Sequence, residues 1–365
     1  MLNLVQHLIK SNTYQTLKRV QGDRNSIYQR SFKKLKISSL VLLAFSLSFY
    51  PYTSSPSNLY KYHQVSMGTV VEITIVGEDE EAAKKATLQA FQEIKRIETL
   101  MSAWIDSSDV IRMNRSAGKE WVKVSPETLK VIKKAKEISE LSEGGFDITV
   151  GPLTHLWRMA RERGIPPSAE ELKQKLDLVN FKNVMIDQEG KVFLKKRGMA
   201  IDLGGIAKGY AVDRAFELLN SLGYKNLIVN AGGDLRAGGS KLDQPWSIGI
   251  QDPRVSQKIM AKVSISDTAI ATSGDYEKFF IYQGKRYHHI FNPRDGLSAD
   301  GCQSVTIICK EGMVADTLAT AAFVLGPEKG YSLCQKLKGV DCLIVDKEGK
   351  IIFSPGLKSF ISFTH

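Results

Sequence analysis

The chain has 365 residues, 43% of them hydrophobic, which is enough to bury a core in one large domain or in two closely packed ones. Its formal net charge of +11 suggests a nucleic-acid partner, but residues 1–36 carry eight Lys or Arg and one Asp, which leaves only +4 for the remainder. That remainder mixes both signs and has no basic stripe with interleaved aromatic residues. The composition therefore excludes nucleic acid as the main partner.

A basic segment followed by an apolar run predicts export. RSFKKLK, residues 30–36, precedes ISSLVLLAFSLSFY, fourteen residues without a charge. This length fits a signal-peptide core and is shorter than the ~20 residues of a membrane span. No cysteine lies directly after the apolar run, so lipid attachment there is not predicted. The segment is either a signal peptide that is cleaved or an anchor that is not. We expect residues 1–55 to form this signal or anchor with a short linker, and residues 56–365 to form the functional domain outside the cytoplasm.

The predicted elements combine helices with short strands, many of them joined as hairpins. This pattern predicts an α+β fold with antiparallel sheets flanked by helices rather than a doubly wound parallel sheet. In the first half of the chain we expect a strand over 62–76 interrupted at 66–69, a helix over 79–101, a strand over 121–124, a helix from Ser125 to the glycine pair at 144–145, a surface excursion over 161–167 and a helix capped by Ser168 and Glu171. Strands over 184–186, 192–194 and 199–203 then lead to a helix that begins at Ile206. After this helix we expect strands over 227–230, 246–251, 261–266, 279–282, 287–291 and 305–308, a helix over 313–325, and strands over 342–345 and 351–353.

The segment DLGGIAKGYA, residues 202–211, reads as a strand that ends in a glycine turn and enters a helix. Free backbone N–H groups and the positive end of the helix dipole would meet there, an arrangement that suits an anion. Lys208 gains nothing from the dipole in the first helical turn, so it is a candidate ligand contact. Taken alone, the segment is better interpreted as an ordinary strand-to-helix junction, because short glycine motifs give many false positives.

Two further segments supply groups for chemistry. In HHIFNPRDG, alternation places His288 and His289 on opposite faces of a strand, so one can act as a general base while the other is structural. We assign the structural role to His288. In VADTLATA, Asp316 and Thr320 share a helix face and offer two oxygen ligands, which fits Mg²⁺ shared with substrate phosphates. The simpler alternative is that Asp316 caps its own helix and Thr320 bonds back to the backbone.

Glycine-rich turns and the absence of two nucleotide-binding motifs narrow the kinds of ligand site that the sequence predicts. Glycine-rich turns at 144–157 and 230–239 expose backbone and carry Asp147, His155, Asp234 and Arg236. The GxGxxG and GxxxxGK[ST] patterns are absent, which argues against Rossmann and P-loop folds. The four cysteines form no CxxC, so the sequence does not predict zinc. These turns together favour a large charged ligand, such as a dinucleotide-like pyrophosphate with a magnesium ion and a histidine base.

This combination resembles the ApbE family, the FAD:protein FMN transferases, over about residues 60–355. The resemblance rests on several ordered motifs, which together are far more specific than any one of them: SMGT at Ser66, MSAW at Met101, GGFDITVGPL at Gly144, DLGGIAKGYAVD at Asp202, NAGGDLRAGG at Asn230, ATSGDYE at Ala271, HHIFNPRDG at His288 and VADTLATAAFVLG at Val314. It departs from some family members at Ala319, where they carry a second Asp before the metal-binding Thr, and in lacking a lipoprotein cysteine.

The resemblance implies specific roles for the residues of these motifs. His289 is implied as the base that deprotonates the attacking hydroxyl. Magnesium is implied to bind Asp316, Thr320 and the main-chain carbonyl of Gly205. FAD is implied to contact Met67, Trp104, Gly145, Phe146, Asp147, Asp202, Lys208 and the backbone at Ile290.

The implied reaction is attack of an acceptor-protein threonine hydroxyl on the FMN phosphorus of FAD, with release of AMP. The implied acceptor is a flavoprotein subunit of a membrane redox complex, and the implied location is the periplasmic face of the inner membrane, with the N-terminal segment as membrane anchor or secretion signal. Two alternatives remain, a magnesium-dependent FAD pyrophosphatase that yields FMN and AMP, and a non-catalytic periplasmic flavin-binding protein.

Overall fold

The computed structural model describes residues 57–364, so the predicted signal or anchor lies outside the described residues. The strands there are β1 (Asn58–Ser66), β2 (Thr69–Gly77), β3 (Val122–Lys123), β4 (Val184–Ile186), β5 (Lys191–Leu194), β6 (Leu227–Ala231), β7 (Asp234–Gly238), β8 (Trp246–Gln251), β9 (Ile259–Ile265), β10 (Thr268–Gly274), β11 (Phe279–Tyr282), β12 (Lys285–His288), β13 (Cys302–Cys309), β14 (Asp341–Asp346), β15 (Ile351–Phe353) and β16 (Ile361–Phe363). The helices are α1 (Glu80–Met101), α2 (Asp109–Arg115), α3 (Pro126–Leu141), α4 (Gly151–Arg163), α5 (Ala169–Leu176), α6 (Ala207–Ser221), α7 (Gly312–Leu325) and α8 (Pro327–Gln335).

An eight-stranded antiparallel sheet organises the fold, with the order β1-β2-β6-β7-β10-β13-β14-β15. Every residue of the central strand β13 is buried, as expected for a strand covered on both faces. Helices α1, α6 and α7 share the main hydrophobic core with this sheet, and the three-stranded sheet β16-β9-β8 contributes to a second core with it. The α+β prediction with antiparallel sheets is confirmed.

A third, smaller core joins helix α4 to the hairpin β11–β12. Trp157 lies at its centre and stacks on Tyr287 and Phe291, with ring centroids 5.7 and 5.6 Å apart. The indole Nε1–H of Trp157 also donates a 2.7 Å hydrogen bond to the Gly296 carbonyl. These contacts hold the segment between Tyr287 and Phe291, which includes both neighbouring histidines, against α4.

Local signals in the sequence set several helix boundaries. Ser125 caps α3 through a bond from the Thr128 N–H, with Pro126 in the first turn, and Ser168 with Glu171 forms the predicted capping box of α5. Helix α3 ends at Leu141, slightly before the predicted glycine stop. None of the helices in the described part of the chain has the length and apolarity that crossing a membrane requires.

The predicted strand over 199–203 is wrong. Only one isolated bridge forms there, between Val150 and Ala200. The Asn114 side chain pairs with Ile201 in place of a strand, because its amide accepts from the Ile201 N–H at 2.6 Å and donates to the Ile201 carbonyl at 3.0 Å. The Ala200 carbonyl and the Asp202 N–H bond instead to the backbone of Gly151 and Ile148. A side chain 87 residues away has therefore satisfied the Ile201 backbone groups that a partner strand would pair.

The chain after Asp147 leads into helix α4, which the sequence patterns did not predict. Its buried residues, Leu153, Leu156, Trp157 and Ala160, follow helical spacing. The expected excursion over 161–167 begins inside this helix, which runs to Arg163 and ends at Gly164 with φ 71°. The strand expected over 287–291 ends at His288, and the helices α2 and α8 and the strands β7, β10 and β16 were not predicted.

Candidate active site

The glycine turn before α6 leaves one carbonyl free. The Asp202 carboxylate accepts from the Gly204 N–H at 2.8 Å, which fixes the start of the turn. Within residues 57–364 no hydrogen bond reaches the Gly205 carbonyl oxygen, because the Gly209 N–H that would normally bond to it points elsewhere. This oxygen is therefore available to a ligand.

The Gly209 N–H donates instead to Asp316 on helix α7, at 3.0 Å. In return, Asp213 on α6 caps α7, since its two carboxylate oxygens accept from the N–H groups of Gly312 at 2.8 Å and Met313 at 2.9 Å. Each helix thus supplies an aspartate that accepts from the first turn of the other. The close approach requires glycine, because a Cβ at Gly209 would lie 2.2 Å from the Gly312 carbonyl oxygen.

Asp316, Thr320 and Gly205 converge at this crossing. The Asp316 residue is only 4% exposed, and Thr320 follows one turn later on the same face. A Cβ at Gly205 would lie 3.2 Å from the Thr320 hydroxyl oxygen and 3.1 Å from the Phe146 ring, so these groups are in contact across the turn. Burial and the nearby Asp234 raise the pKa of Asp316 to about 7.

The simpler alternative for the helix α7 residues is wrong. Asp213, rather than Asp316, caps the helix. The back-bond to the backbone comes from Thr317, whose hydroxyl donates to the Met313 carbonyl at 2.6 Å. The Thr320 hydroxyl pairs with that of Ser273 at 3.2 Å. Asp316 and Thr320 are therefore directed between α6, α7 and β10.

Lys208 lies beside this group and forms an ion pair with Asp234, whose carboxylate is nearly buried. Burial disfavours the charged ammonium, but the carboxylates of Asp234 and Asp316 outweigh it and raise the pKa of Lys208 above its usual value. The lysine is therefore a fixed positive charge next to the Asp316 carboxylate. Sequence reasoning singled out both Lys208 and Asp234 but not their pairing.

The two histidines differ in burial as predicted, although β12 ends at His288 and His289 lies at the bend that follows. His288 is buried, with its Nε2–H donating to the Ala299 carbonyl at 2.7 Å and its Nδ1 accepting from the Ile290 N–H at 3.2 Å. His289 is exposed. Although its ring reaches solvent, the protein packed around it and the cationic Lys278 lower the pKa of His289, because both disfavour the charged imidazolium. His289 is thus neutral at neutral pH and able to accept a proton.

Two residues expected in the flavin pocket lie in exposed or strained positions. Met67 occupies the two-residue turn between β1 and β2 with φ 52°, a left-handed conformation that is uncommon outside glycine and often marks a binding site. Trp104 is 60% exposed, and the guanidinium carbon of Arg158 lies 4.5 Å from its ring centre. A half-buried methionine and an exposed indole are suitable surfaces for a flat ring.

The GGFD segment is held by its own bonds. The Asp147 carboxylate accepts from the Thr149 N–H at 2.7 Å, the Thr149 hydroxyl at 2.6 Å and the Phe181 N–H at 2.8 Å. Burial raises the pKa of Asp147, and these three donors oppose that rise because they favour the charged carboxylate. Gly145 lies against Leu325, where a Cβ would be 2.7 Å from the Leu325 Cγ. The Asp147 carboxylate is therefore occupied by these donors, whereas the Phe146 ring of the same segment lies against the Gly205 turn.

The backbone at Ile290 is likewise engaged, because its N–H donates to His288 and its carbonyl accepts from the Ala299 N–H at 3.0 Å. Two residues that hold segments of the site in place were missed by sequence reasoning. Asp213 closes the DLGGIAKGYAVD motif, so its place in the motif was the available signal. Asn114 carried no signal, since its partner Ile201 is distant in the chain.

Within residues 57–364 no three His, Cys, Asp or Glu side chains cluster as they would in a metal site built from side chains alone. The donors at the α6–α7 crossing are one carboxylate, one hydroxyl and one carbonyl. This oxygen set suits a hard cation that completes its shell with substrate and water.

The sequence model described as the ApbE family matches residues 67–344. The chain belongs to the ApbE family. It is 33% identical over 303 residues to the FAD:protein FMN transferase of Klebsiella pneumoniae, which covers 82% of this chain and 93% of that protein. It is 32% identical over 316 residues to the FAD:protein FMN transferase of Treponema pallidum, with 82% and 87% coverage.

Solved ApbE structures share the fold. The ApbE protein of Thermotoga maritima superposes with a TM-score of 0.77 at 37% identity, covering 83% of this chain and 99% of that one. The flavin transferase ApbE of Vibrio cholerae gives a TM-score of 0.76 at 31% identity, covering 84% and 100%. The described fold is therefore the ApbE fold over nearly the full length of these relatives.

Proposed function

We propose that this ApbE-family enzyme transfers FMN from FAD to a threonine hydroxyl of an acceptor protein and releases AMP. The observation that carries the proposal is the reciprocal crossing of α6 and α7, which gathers the Asp316 carboxylate, the Gly205 carbonyl and Lys208 at one helix N-terminus. The relatives named FAD:protein FMN transferase support the flavin donor.

The residues present fit a magnesium ion. Asp316, Thr320 and the unbonded Gly205 carbonyl would hold it, with pyrophosphate oxygens and water as the other ligands. When bound, magnesium offsets the negative charge of the pyrophosphate and of the departing AMP.

The protein's own groups then divide the remaining work. Lys208 and the N-terminal dipole of α6 place positive charge against the phosphates, which matters because phosphoryl transfer depends mainly on positioning and charge neutralisation. His289 takes the proton from the threonine hydroxyl at Nδ1 or Nε2. The threonine oxygen forms a bond to the FMN phosphorus as the bond from that phosphorus to the AMP oxygen breaks. The remaining residues of the GGFD, SMGT and MSAW motifs bind the flavin end.

The location and acceptor are also part of the proposal. The basic segment and the apolar run at 37–50 support export, with residues 1–55 as a signal or anchor and residues 56–365 as the transferase domain. Export would place the enzyme at the periplasmic face of the inner membrane, beside flavin-bearing subunits of membrane redox complexes.

The test uses the full-length chain with FAD, Mg²⁺ and a threonine-bearing fragment of a candidate redox subunit. Intact mass reports on the fragment and chromatography on released nucleotide. An FMN-sized mass gain with AMP release supports the transferase. AMP with free FMN and no mass gain on several acceptors indicates the pyrophosphatase, and FAD that stays bound and intact indicates a flavin-binding protein.

Two variants test the assigned roles. His289→Ala and Asp316→Ala should each lower the transfer rate by at least about 100-fold, the usual contribution of a positioned general base or phosphate-site ligand. Both should still bind flavin, measured by fluorescence quenching, because the Met67 and Trp104 surfaces are untouched. His63→Ala, at an exposed histidine on β1, is the matched control and should keep its rate. Full transfer by His289→Ala would show that another group accepts the proton.

A further inference from the structure

Three cations lie on the two segments that flank the exposed His289, and we name Arg158, Arg161 and Lys278 the cationic rim. Arg158 and Arg161 lie one turn apart on α4, and Lys278 immediately precedes β11. Arg161 and Lys278 are exposed, whereas Arg158 is half-buried under the Trp104 ring. The rim therefore comes from two elements that contribute nothing to the phosphate site at the α6–α7 crossing.

Packing and strand pairing place two rim cations next to the histidine. Tyr287 and Phe291 both stack on Trp157 of α4, and His289 lies between them in the chain, at the bend that follows β12. Arg161 follows Trp157 by one turn on the same face of α4, and its charge acts on the His289 ring. On the other strand of the hairpin, Phe279 pairs with His288 as the last pair of the ladder, so Lys278 and His289 leave it at the same end, and the Lys278 charge also acts on the ring.

The rim cations lack carboxylate partners. Across the described residues 57–364, no Asp or Glu oxygen lies within ion-pair distance of Arg158, Arg161 or Lys278. Lys208, in contrast, is paired with Asp234, and the carboxylate of Glu277 also acts on it. The Nε–H of Arg158 is buried and has no hydrogen-bond partner among these residues. The surface around His289 thus carries uncompensated positive charge.

We propose that the cationic rim docks an acidic segment of the acceptor protein, on either side of the threonine that receives FMN. This inference rests on the proposed function. The base must touch the acceptor hydroxyl, so the chain that carries the threonine has to cross the surface next to His289. Arg161 and Lys278 of the rim act on the His289 ring and, unlike Lys208, have no carboxylate partner among the described residues. Opposite charges there would steer and align the acceptor.

The experiment measures binding of labelled peptides to the full-length protein loaded with FAD and Mg²⁺. Three peptides share one central threonine and differ only in their flanks, which carry Asp and Glu, their amides Asn and Gln, or Lys. Fluorescence anisotropy gives each dissociation constant at low and high salt. Intact mass gives FMN transfer to the same peptides and to a whole acceptor subunit.

We expect the acidic peptide to bind about tenfold more tightly than its amide counterpart at low salt, and the preference to shrink at high salt. Arg161→Glu and Lys278→Glu should each weaken acidic-peptide binding by about fivefold and leave the dissociation constant of FAD unchanged. Arg197→Glu and Lys262→Glu are matched controls, since both are exposed cations without an ion pair in the described structure. Both controls should bind like the wild type.

Three outcomes would overturn the inference. The acidic and amide peptides could bind equally, or the control variants could lose as much binding as the rim variants, which would show only the effect of net charge. The rim variants could instead weaken FAD binding, which would assign the rim to the flavin nucleotide. None of these touches the proposed function, which fails separately if the wild type adds no FMN to any acceptor.

Discussion

Replacing Asp213 with alanine should destabilise the protein and disable the phosphate site together. Asp213 accepts from the Gly312 and Met313 N–H groups and from the Arg236 guanidinium at 2.9 Å. The variant therefore uncaps α7, the helix that carries Asp316, and leaves the Arg236 charge without its main partner.

The magnitude follows from burial. The side chains of Asp213 and Arg236 are 7% and 15% exposed, and removing one partner of such a pair costs about 3–5 kcal/mol of unfolding free energy. The residual contact of Arg236 with Glu217 at 3.9 Å and its stacking on Phe216 keep the estimate within that range. Burial raises the pKa of Asp213, whereas arginine stays charged in proteins. Arg236→Ala should therefore cost less than Asp213→Ala, because the carboxyl group left behind can take up a proton.

Urea unfolding of the wild type, Asp213→Ala, Arg236→Ala and the double variant gives the test as a double-mutant cycle. We expect an interaction energy of about 1–3 kcal/mol between the two sites. In folded Asp213→Ala, FMN transfer should fall even where Mg²⁺ and FAD are saturating, while Asp213→Asn, which can still accept one N–H, should be intermediate. Additive single effects, or full transfer activity in Asp213→Ala, would refute the view that this cap positions α7.

Two further predictions concern packing and pH. Gly209→Ala should reduce FMN transfer and lower the unfolding free energy, measured in urea, by about 1–3 kcal/mol, because the new Cβ would lie 2.2 Å from the Gly312 carbonyl oxygen. Alanine is otherwise the better helix former by about 1 kcal/mol, so a variant more stable than the wild type would contradict the close approach of the two helices. Burial lowers the pKa of His288, so the unfolded chain binds more protons as the pH falls below ~6.5, and stability is lost from there downward. When the pH is lowered, the unfolding free energy of His288→Gln should fall less than that of the wild type. If the fall is unchanged, or if the exposed-site control His155→Gln shows the same reduction, the loss of stability in acid belongs to other groups.

Much of the fold could be predicted because its signals are local. The caps at Ser125 and Ser168 depend on residues within three positions, and the buried stripe of α1 repeats with helical spacing. The same is true in the site for the i,i+4 spacing of Asp316 and Thr320, which follows from the period of one helix. The contrast between His288 and His289 was also predicted, although His289 lies at the bend just beyond β12 rather than within the strand.

The failures have a common physical origin in contacts between distant segments. The run over 199–203 is apolar enough for a strand, but the Asn114 amide satisfies its backbone, and local pattern carries no information about that amide. The reciprocal caps of α6 and α7 join groups 99 to 107 residues apart. Periodicity could therefore identify Asp316 as a ligand candidate without showing that Gly209 and Asp213 hold it in place.

The structure separates the groups that hold phosphate from the groups that meet the acceptor. Asp316 is buried at a helix crossing where glycine permits backbone contact, so its position is fixed by the packing of α6 on α7. His289 stands instead at the exposed end of a hairpin, fixed through its neighbours Tyr287 and Phe291 rather than through its own ring. A reaction that relies on positioning needs the phosphate groups rigid, whereas a protein acceptor needs the base accessible. Both requirements are met because adjacent residues, His288 and His289, point to opposite faces, one bound to the core and the other open to solvent.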